Sequence, residues 1–177
     1  MAAKVALFVL GLFAWTFVEY VIHGFMSHVY RTFVTPLHEA HHRDPHADFT
    51  AGAWIPLALV TIILFFAFGF GPIGVFWVGI VAGFAAYETE HYRIHFARPA
   101  CEYEARLRLH HLAHHRGAPR ACFGITTRLW DRIFGSEPEH TRMAAMEAAV
   151  AGIEPLTGAT NARLALRPWV FLRGSHS

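Results

Sequence analysis

Histidines are the residues most able to do chemistry in this chain, because ten of its fourteen histidines fall into four closely spaced groups. The spacings are HxxxxH, HxxHH, HxxxH and HxxHH, formed by His23 and His28, by His38, His41 and His42, by His91 and His95, and by His111, His114 and His115. Residues three and four apart share one face of a helix, so such a group can direct its imidazoles to one side. Imidazole binds iron, zinc, copper and nickel. One ion cannot use ten ligands, and the pattern therefore predicts a site for two transition-metal ions.

A purely structural role is the alternative to metal binding. A lone histidine on a helix is usually a core or surface residue, and a single HxxxH pair is a weak signal. Two HxxHH triplets in one short chain favour metal binding. An affinity tag does not explain these ten residues, whereas His176 lies in a closing Gly-Ser-His-Ser that resembles a cloning scar. His46 and His110 fall outside the pattern, and we expect His46 on the surface and His110 on the surface or against a ligand.

The composition indicates a protein embedded in a membrane. Of the 177 residues, 54% are hydrophobic and 16% are charged, and the length suits one domain. The net charge of +2 implies no nucleic-acid partner. Cys101 and Cys122 are the two cysteines, and we interpret both as reduced, inert thiols on the cytosolic side.

Three apolar runs are long enough, or nearly so, to cross a bilayer. Val5 to Ile22 is interpreted as a retained membrane helix rather than a signal peptide, because no small-residue cleavage site follows it. Trp54 to Phe68 and Ile73 to Tyr87 flank a Gly-Phe-Gly-Pro turn, which predicts a helical hairpin. This path places all four histidine groups on one side of the membrane.

The arginines indicate which side that is. Lys4 is the only basic residue before the first histidine, and the tip of the hairpin is uncharged. The histidine side carries Arg31, Arg43, Arg93, Arg98, Arg106, Arg108, Arg116, Arg120, Arg128 and Arg132. By the positive-inside rule that side is cytoplasmic. We therefore expect an integral protein of the inner (cytoplasmic) membrane with its active site facing the cytosol.

The remaining segments complete the predicted fold. Cys101 to His115 predicts an amphipathic helix at the interface, Phe123 to Gly135 suits a segment on the headgroups or over the site, and Thr141 to Ile153 predicts an Ala-rich helix. The fold class is all-α: an integral membrane helical bundle with a cytosolic histidine-rich cap over a dinuclear metal site. Residues 1–140 would form the catalytic membrane domain, and residues 141–177 a C-terminal helix and tail.

The order of the four groups resembles that of the fatty acid hydroxylase and sterol desaturase superfamily of membrane di-iron enzymes, over Glu19 to Gly135. The resemblance extends beyond histidine, with Glu19-Tyr20-x-x-His23 similar to the family's EYxxH, Tyr87-Glu88-x-x-His91-Tyr92 similar to its YDxxHY, and Phe123-Gly124-Ile125-Thr126-Thr127, Trp130-Asp131 and Phe134-Gly135 similar to its FGxT, WD and FG. Gly24, Glu88 and Phe96 depart from the family pattern, where Arg, Asp and His are frequent. In size the chain resembles bacterial carotenoid ring hydroxylases, and we expect no cytochrome b5 domain within these 177 residues.

This resemblance implies two iron ions shared by the ten histidines, with O2 as co-substrate; zinc or another transition metal can occupy such a site. Tyr87, Glu88 and Tyr92 are candidate catalytic residues through their place in the YDxxHY-like segment. Electrons would come from a separate donor, a cytochrome or a ferredoxin with its reductase. The chain shows no Gly-rich nucleotide fingerprint of its own.

The chemistry also follows from the residues. Breaking an unactivated C–H bond needs an oxidant that no side chain provides, so a metal centre must activate O2 while the protein positions the substrate. Neutral imidazoles leave the charge of the metal ions uncompensated. We therefore expect Glu19 and Glu88 to accept N–H groups of the ligating imidazoles. For Glu19 the alternative is an acid at the membrane interface that snorkels towards the headgroups.

The predicted function is hydroxylation of a lipid, most simply of a fatty acyl chain. The alternatives are a carotenoid ring or sterol hydroxylase or desaturase and, in another class, a membrane metal transporter or sensor. A transporter should hold its ligands near the bilayer midplane on broken helices, whereas these groups lie at helix ends. The residues that could line an acyl pocket, or else pack against lipid, are Phe13, Phe17, Trp77 and Phe84.

Overall fold

The computed structural model describes residues 1–45, 51–117 and 120–156, without the side chains of residues 51–54. The elements are α1 (Ala2–Tyr20), which continues as a π-helical segment (Val21–Val29), α2 (Thr35–Arg43), α3 (Ala51–Phe68), α4 (Pro72–Phe96), α5 (Glu102–Gly117), α6 (Leu129–Phe134) and α7 (His140–Val150). The described residues contain no strand, which confirms the all-α class. His46, Pro119 and His176 lie outside the described residues.

The π-helical segment explains how HxxxxH spacing can serve one site. Residues five apart in an α-helix are separated by about 140° around the axis, so His23 and His28 would face different directions. The wider turn of a π-helix, with i→i+5 hydrogen bonds, brings them towards one face. Ser27 Oγ donates to Ile22 O at 2.8 Å across the same interval. The first apolar helix thus runs from Ala2 to Val29, beyond its predicted bounds.

α1 and α4 run parallel with their backbones in contact. A Cβ on Gly79 would lie 2.2 Å from Phe8 O and 2.9 Å from the Cα of Gly11, so only glycine permits this approach. Farther along, Trp15 packs edge-to-face on Phe84 with ring centroids 5.1 Å apart. Such aromatic burial fixes the two helices against each other, and the C-terminal ends of both carry histidine groups.

α4 is longer than its predicted apolar run, which ended at Tyr87. The helix continues to Phe96, so His91 and His95 lie on the same helix that packs against α1. The hairpin before it turns at Gly69, whose φ of +52° favours glycine.

By length and composition, two helices of the described chain can cross a membrane, Ala2–Val29 and Pro72–Phe96. The described apolar stretch of α3, Ile55–Phe68, is shorter. Two of the three predicted membrane passes are therefore supported, and the pass through α3 stays a prediction. α3 is joined to α4 by Trp77 Nε1, which donates to Thr61 Oγ1 at 3.0 Å.

The C-terminal segment packs onto the histidine side of the fold. The Cys122 Sγ lies 3.8 Å from Met143 Sδ on α7, Leu156 N donates to His95 O at 2.8 Å, and Arg108 Nη2 donates to Ile153 O at 3.0 Å. The division at residue 140 stays a prediction. Both cysteines are free thiols, Cys101 exposed and Cys122 buried; that both are inert and cytosolic stays a prediction.

Candidate metal centre

The fold brings all ten predicted histidines together in two groups of five. The first cluster is His23, His28, His38, His42 and His114, and the second cluster is His41, His91, His95, His111 and His115. In each cluster the five candidate ligand atoms lie within 4.8 Å of one another.

Each HxxHH motif supplies both clusters. On α2, His38 and His42 point into the first cluster and His41 into the second, while on α5, His111 and His115 point into the second and His114 into the first. Neighbouring helical residues diverge by about 100°, whereas residues four apart nearly coincide. The i, i+4 pair therefore shares one ion site and the i+3 residue reaches the other.

The second cluster has a regular geometry. His41, His91, His111 and His115 form a ring whose successive Nε2 atoms are 3.0, 3.1, 3.0 and 3.1 Å apart. The imidazole of His95 contacts all four, with ring centroids 4.9 to 5.1 Å away. The five donors approximate a square pyramid with His95 at its apex.

The first cluster repeats this arrangement. His23, His114, His42 and His38 form the ring, with Nε2 separations of 3.1, 3.1 and 2.9 Å and a His23–His38 centroid distance of 4.6 Å. His28 contacts all four at 4.5 to 5.6 Å between centroids. His28 is therefore the apex.

These spacings fit metal ions. With metal–nitrogen bonds of about 2.1 Å, neighbouring donors lie about 3.0 Å apart around an octahedral ion and about 3.4 Å apart around a tetrahedral one. The closest Nε2 pairs of the two clusters are 2.7 to 3.1 Å apart, which favours octahedral angles. Two nitrogen lone pairs this close repel each other unless a hydrogen or a cation lies between them.

The imidazoles are held in the form that binds metal. Burial, followed by the neighbouring imidazoles, lowers the pKa of His111, His114 and His115 well below its ordinary value. The same causes lower the pKa of His38. A metal ligand must be the neutral imidazole, so no proton competes with an ion at neutral pH.

Two backbone carbonyls orient the first cluster. His23 Nδ1 donates to Phe123 O at 2.5 Å and His114 Nδ1 donates to Ala121 O at 2.8 Å. A carbonyl oxygen only accepts, so each Nδ1 carries the hydrogen and each Nε2 turns its lone pair inward.

Glu19 does not accept an imidazole N–H as predicted. Its carboxylate instead accepts hydrogen bonds from Ile125 N at 3.1 Å, from Thr126 N at 2.8 Å and from Thr126 Oγ1 at 2.8 Å. The prediction of a direct contact is wrong because Phe123 O occupies the acceptor position beside His23. Glu19 acts on the loop that carries this carbonyl.

Asp131 is a functional candidate that sequence reasoning missed. It is fully buried and accepts from Phe123 N, Gly124 N, Ser136 Oγ and His110 Nε2 at 2.7 to 3.1 Å. Burial raises the pKa of Asp131, but its hydrogen bonds, led by that from His110, outweigh burial and hold it below its ordinary value. The Trp-Asp pair was the available signal.

The three predicted catalytic residues occupy different settings. The Tyr87 ring is partly buried, 5.6 Å from that of His91 between centroids, and Glu88 is also partly buried. Tyr92 is 52% exposed and its ring is tilted against that of Phe96, with centroids 4.9 Å apart. Their catalytic roles stay predictions.

The candidate acyl-pocket residues make packing contacts. Phe13 and Phe17 lie against Trp130 of α6, with centroids 5.6 and 4.9 Å away, while Trp130 Nε1 donates to Thr16 Oγ1 at 2.9 Å. Phe84 is buried against Trp15. α6 therefore lies along α1, and its position over the site stays a prediction.

Fold and site together define the class: a helical membrane protein whose ten converging imidazoles can hold two metal ions. The chain belongs to the fatty acid hydroxylase family, whose model matches residues 8–136.

Similar proteins of known name support membership of this family. The chain is 33% identical over 159 residues to the fatty acid 2-hydroxylase of Mus musculus, covering 78% of this chain and 42% of the relative. It is 33% identical over 150 residues to the dihydroceramide fatty acyl 2-hydroxylase FAH1 of Arabidopsis thaliana, covering 76% and 61%. The solved structure of scs7p, with its hydroxylase domain visible, matches with a TM-score of 0.63 at 26% identity, covering 77% and 56%. The chain thus spans about two fifths to three fifths of these proteins.

Proposed function

We propose that the chain is an O2-dependent di-iron hydroxylase acting on a fatty acyl chain in a membrane. The observation that carries the proposal is the pair of five-imidazole clusters with octahedral donor spacing. The mouse and Arabidopsis relatives are named for hydroxylation of fatty acids and of dihydroceramide acyl chains at position 2, which supports an acyl substrate oxidised at carbon 2. The names favour this substrate over carotenoid or sterol alternatives.

The first and second clusters would each hold one iron ion. When bound, the ions supply the redox chemistry that activates O2 for attack on a C–H bond. Catalytic metal sites keep a position that protein ligands do not fill, and with five imidazoles holding each ion the centre would leave room for the co-substrate. Structural sites are instead closed by protein ligands.

The protein would orient the lipid substrate and exclude water from the metal centre. His41, His111 and His114 are 0% exposed, which keeps bulk water from the centre and strengthens electrostatic interactions there. The parallel helices α1 and α4 both end at the clusters, so a lipid chain lying along them can present a carbon to the ions. Tyr87, whose ring lies beside that of His91, would contact that chain, and Glu88 and Tyr92 remain candidates.

The proposal includes two partners beyond the lipid. Electrons would come from a separate cytochrome or ferredoxin with its reductase. The arginines of the histidine side support a cytoplasmic-membrane location with the clusters facing the cytosol.

The test compares lipid extracts by mass spectrometry, and metal content per chain, in cells supplied with a reductase system. His114→Ala removes a donor of the first cluster and His41→Ala one of the second, while His140→Ala, at an exposed position on α7, is the control. We expect two ions and a lipid heavier by one oxygen atom with the intact chain and the control. With His114→Ala or His41→Ala we expect loss of the ion of the altered cluster and no modified lipid.

Other outcomes separate the alternatives. If both cluster variants keep metal and product, the proposal is wrong. A product lighter by two hydrogens indicates a desaturase. Two bound ions without any modified lipid, when substrate and donor are present, favour a transporter or sensor.

A further inference from the structure

The chain between α5 and α6 contains a loop, residues 121–127, that we call the carbonyl loop. Two of its carbonyls, on Ala121 and Phe123, accept the Nδ1–H groups of His114 and His23. Both imidazoles belong to the first cluster. The loop is therefore a template for two of that cluster's five donors.

The loop is locally strained between these two carbonyls. Cys122 has a φ of +62°, a left-handed conformation that residues other than glycine rarely adopt. Such a conformation persists where surrounding contacts determine it. Cys122 N donates to Ser136 O at 3.1 Å, and the buried thiol contacts Met143.

Two carboxylates bind four successive backbone amides of the loop. Asp131 accepts from the N–H groups of residues 123 and 124, and Glu19 from those of residues 125 and 126. Gly124 makes this possible, because a Cβ there would lie 2.8 Å from Asp131 Oδ2 and 2.0 Å from Thr127 O. Amides that would be left unsatisfied in a buried loop are thus paired with acids from α1 and α6.

We propose that Glu19 and Asp131 are positioning residues for the first cluster, holding the carbonyl loop so that His23 and His114 keep their Nε2 atoms aimed at the metal ion. The inference rests on the proposed metal site. Groups that orient ligating histidines typically change metal affinity by about 10- to 100-fold when removed. Among the described residues, the Glu19 carboxylate makes its hydrogen bonds to this loop, so its effect should be confined to the first cluster.

The two acids differ in how they tolerate an amide. Glu19 Oε1 accepts both backbone N–H groups and Oε2 accepts the Thr126 hydroxyl, which can rotate to become an acceptor. Glu19→Gln therefore keeps the network. Asp131 binds one backbone N–H with each oxygen, so Asp131→Asn must turn its NH2 towards one of them.

The experiment measures Co²⁺ dissociation constants by chelator competition, with the full chain in detergent micelles and Co²⁺ absorption reporting the ligand geometry. One background carries His91→Ala and His95→Ala and keeps the first cluster. The other carries His28→Ala and His38→Ala and keeps the second.

In the first-cluster background we expect Glu19→Leu and Asp131→Asn to weaken Co²⁺ binding by about 10- to 100-fold and change its spectrum, while Glu19→Gln stays within about threefold. The control is Glu104→Leu, at an acid paired with Arg93 away from the loop, and it should leave this constant unchanged. In the second-cluster background Glu19→Leu should have no effect.

If Glu19→Leu weakens Co²⁺ binding equally in both backgrounds, the variant has lost structure generally and the inference is overturned. The inference is also overturned if Glu19→Leu does not weaken Co²⁺ binding in the first-cluster background. A chain with all ten histidines that binds no Co²⁺ would instead refute the proposed metal site itself.

Discussion

Substitution of Gly79 by alanine tests the framework that aligns the two clusters. A Cβ at this position would lie 2.2 Å from Phe8 O and 2.9 Å from the Cα of Gly11, and the mirror contact from Gly11 meets Phe76 O at 2.2 Å. These neighbours are backbone atoms, so no side-chain rotation can relieve the overlap.

The size of the effect follows from these distances. Ordinary contact begins at 3.4 Å, so α1 and α4 must separate locally by 3.4 − 2.2 = 1.2 Å. Overpacking of this kind costs about 1–3 kcal/mol. For a chain of this length, that corresponds to a melting temperature lower by about 2–12 °C. α1 leads directly into the π-helical segment that carries His23 and His28 of the first cluster, and α4 carries His91 and His95 of the second. The same shift should therefore reduce metal occupancy.

The assay is thermal unfolding in detergent at fixed metal concentration, with metal content measured in parallel. Gly152→Ala is the control, since a Cβ there would meet nothing within 4 Å. If Gly79→Ala melts together with Gly152→Ala, the close α1–α4 contact does not stabilise the fold and the reasoning fails.

Further predictions concern the metal, α6 and the thiols. Removing the ions with a chelator should lower the melting temperature, because each ion present at about 100 times its Kd stabilises the fold by about 2.7 kcal/mol; unchanged melting would argue against metal in the native protein. Trp130→Phe should cost about 1 kcal/mol in thermal unfolding through loss of its hydrogen bond to Thr16, and a Thr16→Val variant that melts normally would contradict this. Burial raises the pKa of the Cys122 thiol to about 12, so below that pH it stays protonated and unreactive, whereas Cys101 is exposed. Mass spectrometry should find one maleimide adduct on the native chain and two after unfolding; two on the native chain would refute the buried assignment.

The identity of the ten cluster residues was predictable from spacing, but their partition was not. The motif His38-x-x-His41-His42 reads as one ligand group in the sequence, yet adjacent helical residues diverge by about 100°. Which of these histidines reaches which cluster depends on where α4 and α5 lie. The positions of α4 and α5 are determined by packing between residues that are distant in the sequence. His23 and His28 likewise need a π-helical segment to face one site, and no residue type in the sequence predicts a π-helix.

The error at Glu19 has a similar cause. The sequence shows an acid one turn before His23, and helical geometry makes a contact reasonable. It does not show that two amides more than a hundred residues later, in the loop at Ile125, lie closer. Asp131 was passed over for the same reason, because its partners Phe123 and Gly124 lie on a loop whose backbone conformation periodicity does not predict.

The shared HxxHH motifs also determine how the two sites depend on each other. The π-helical segment after α1 supplies ligands only to the first cluster and α4 only to the second, but α2 and α5 supply both. A displacement of α1 should therefore disturb one ion, whereas a displacement of α2 or α5 must disturb two. If the clusters hold metal as proposed, an ion that binds first would order α2 and α5 for the other, because the conformational freedom of these helices would be lost only once. The two HxxHH motifs would thus couple the two sites mechanically, because each motif carries donors of both clusters on one helix.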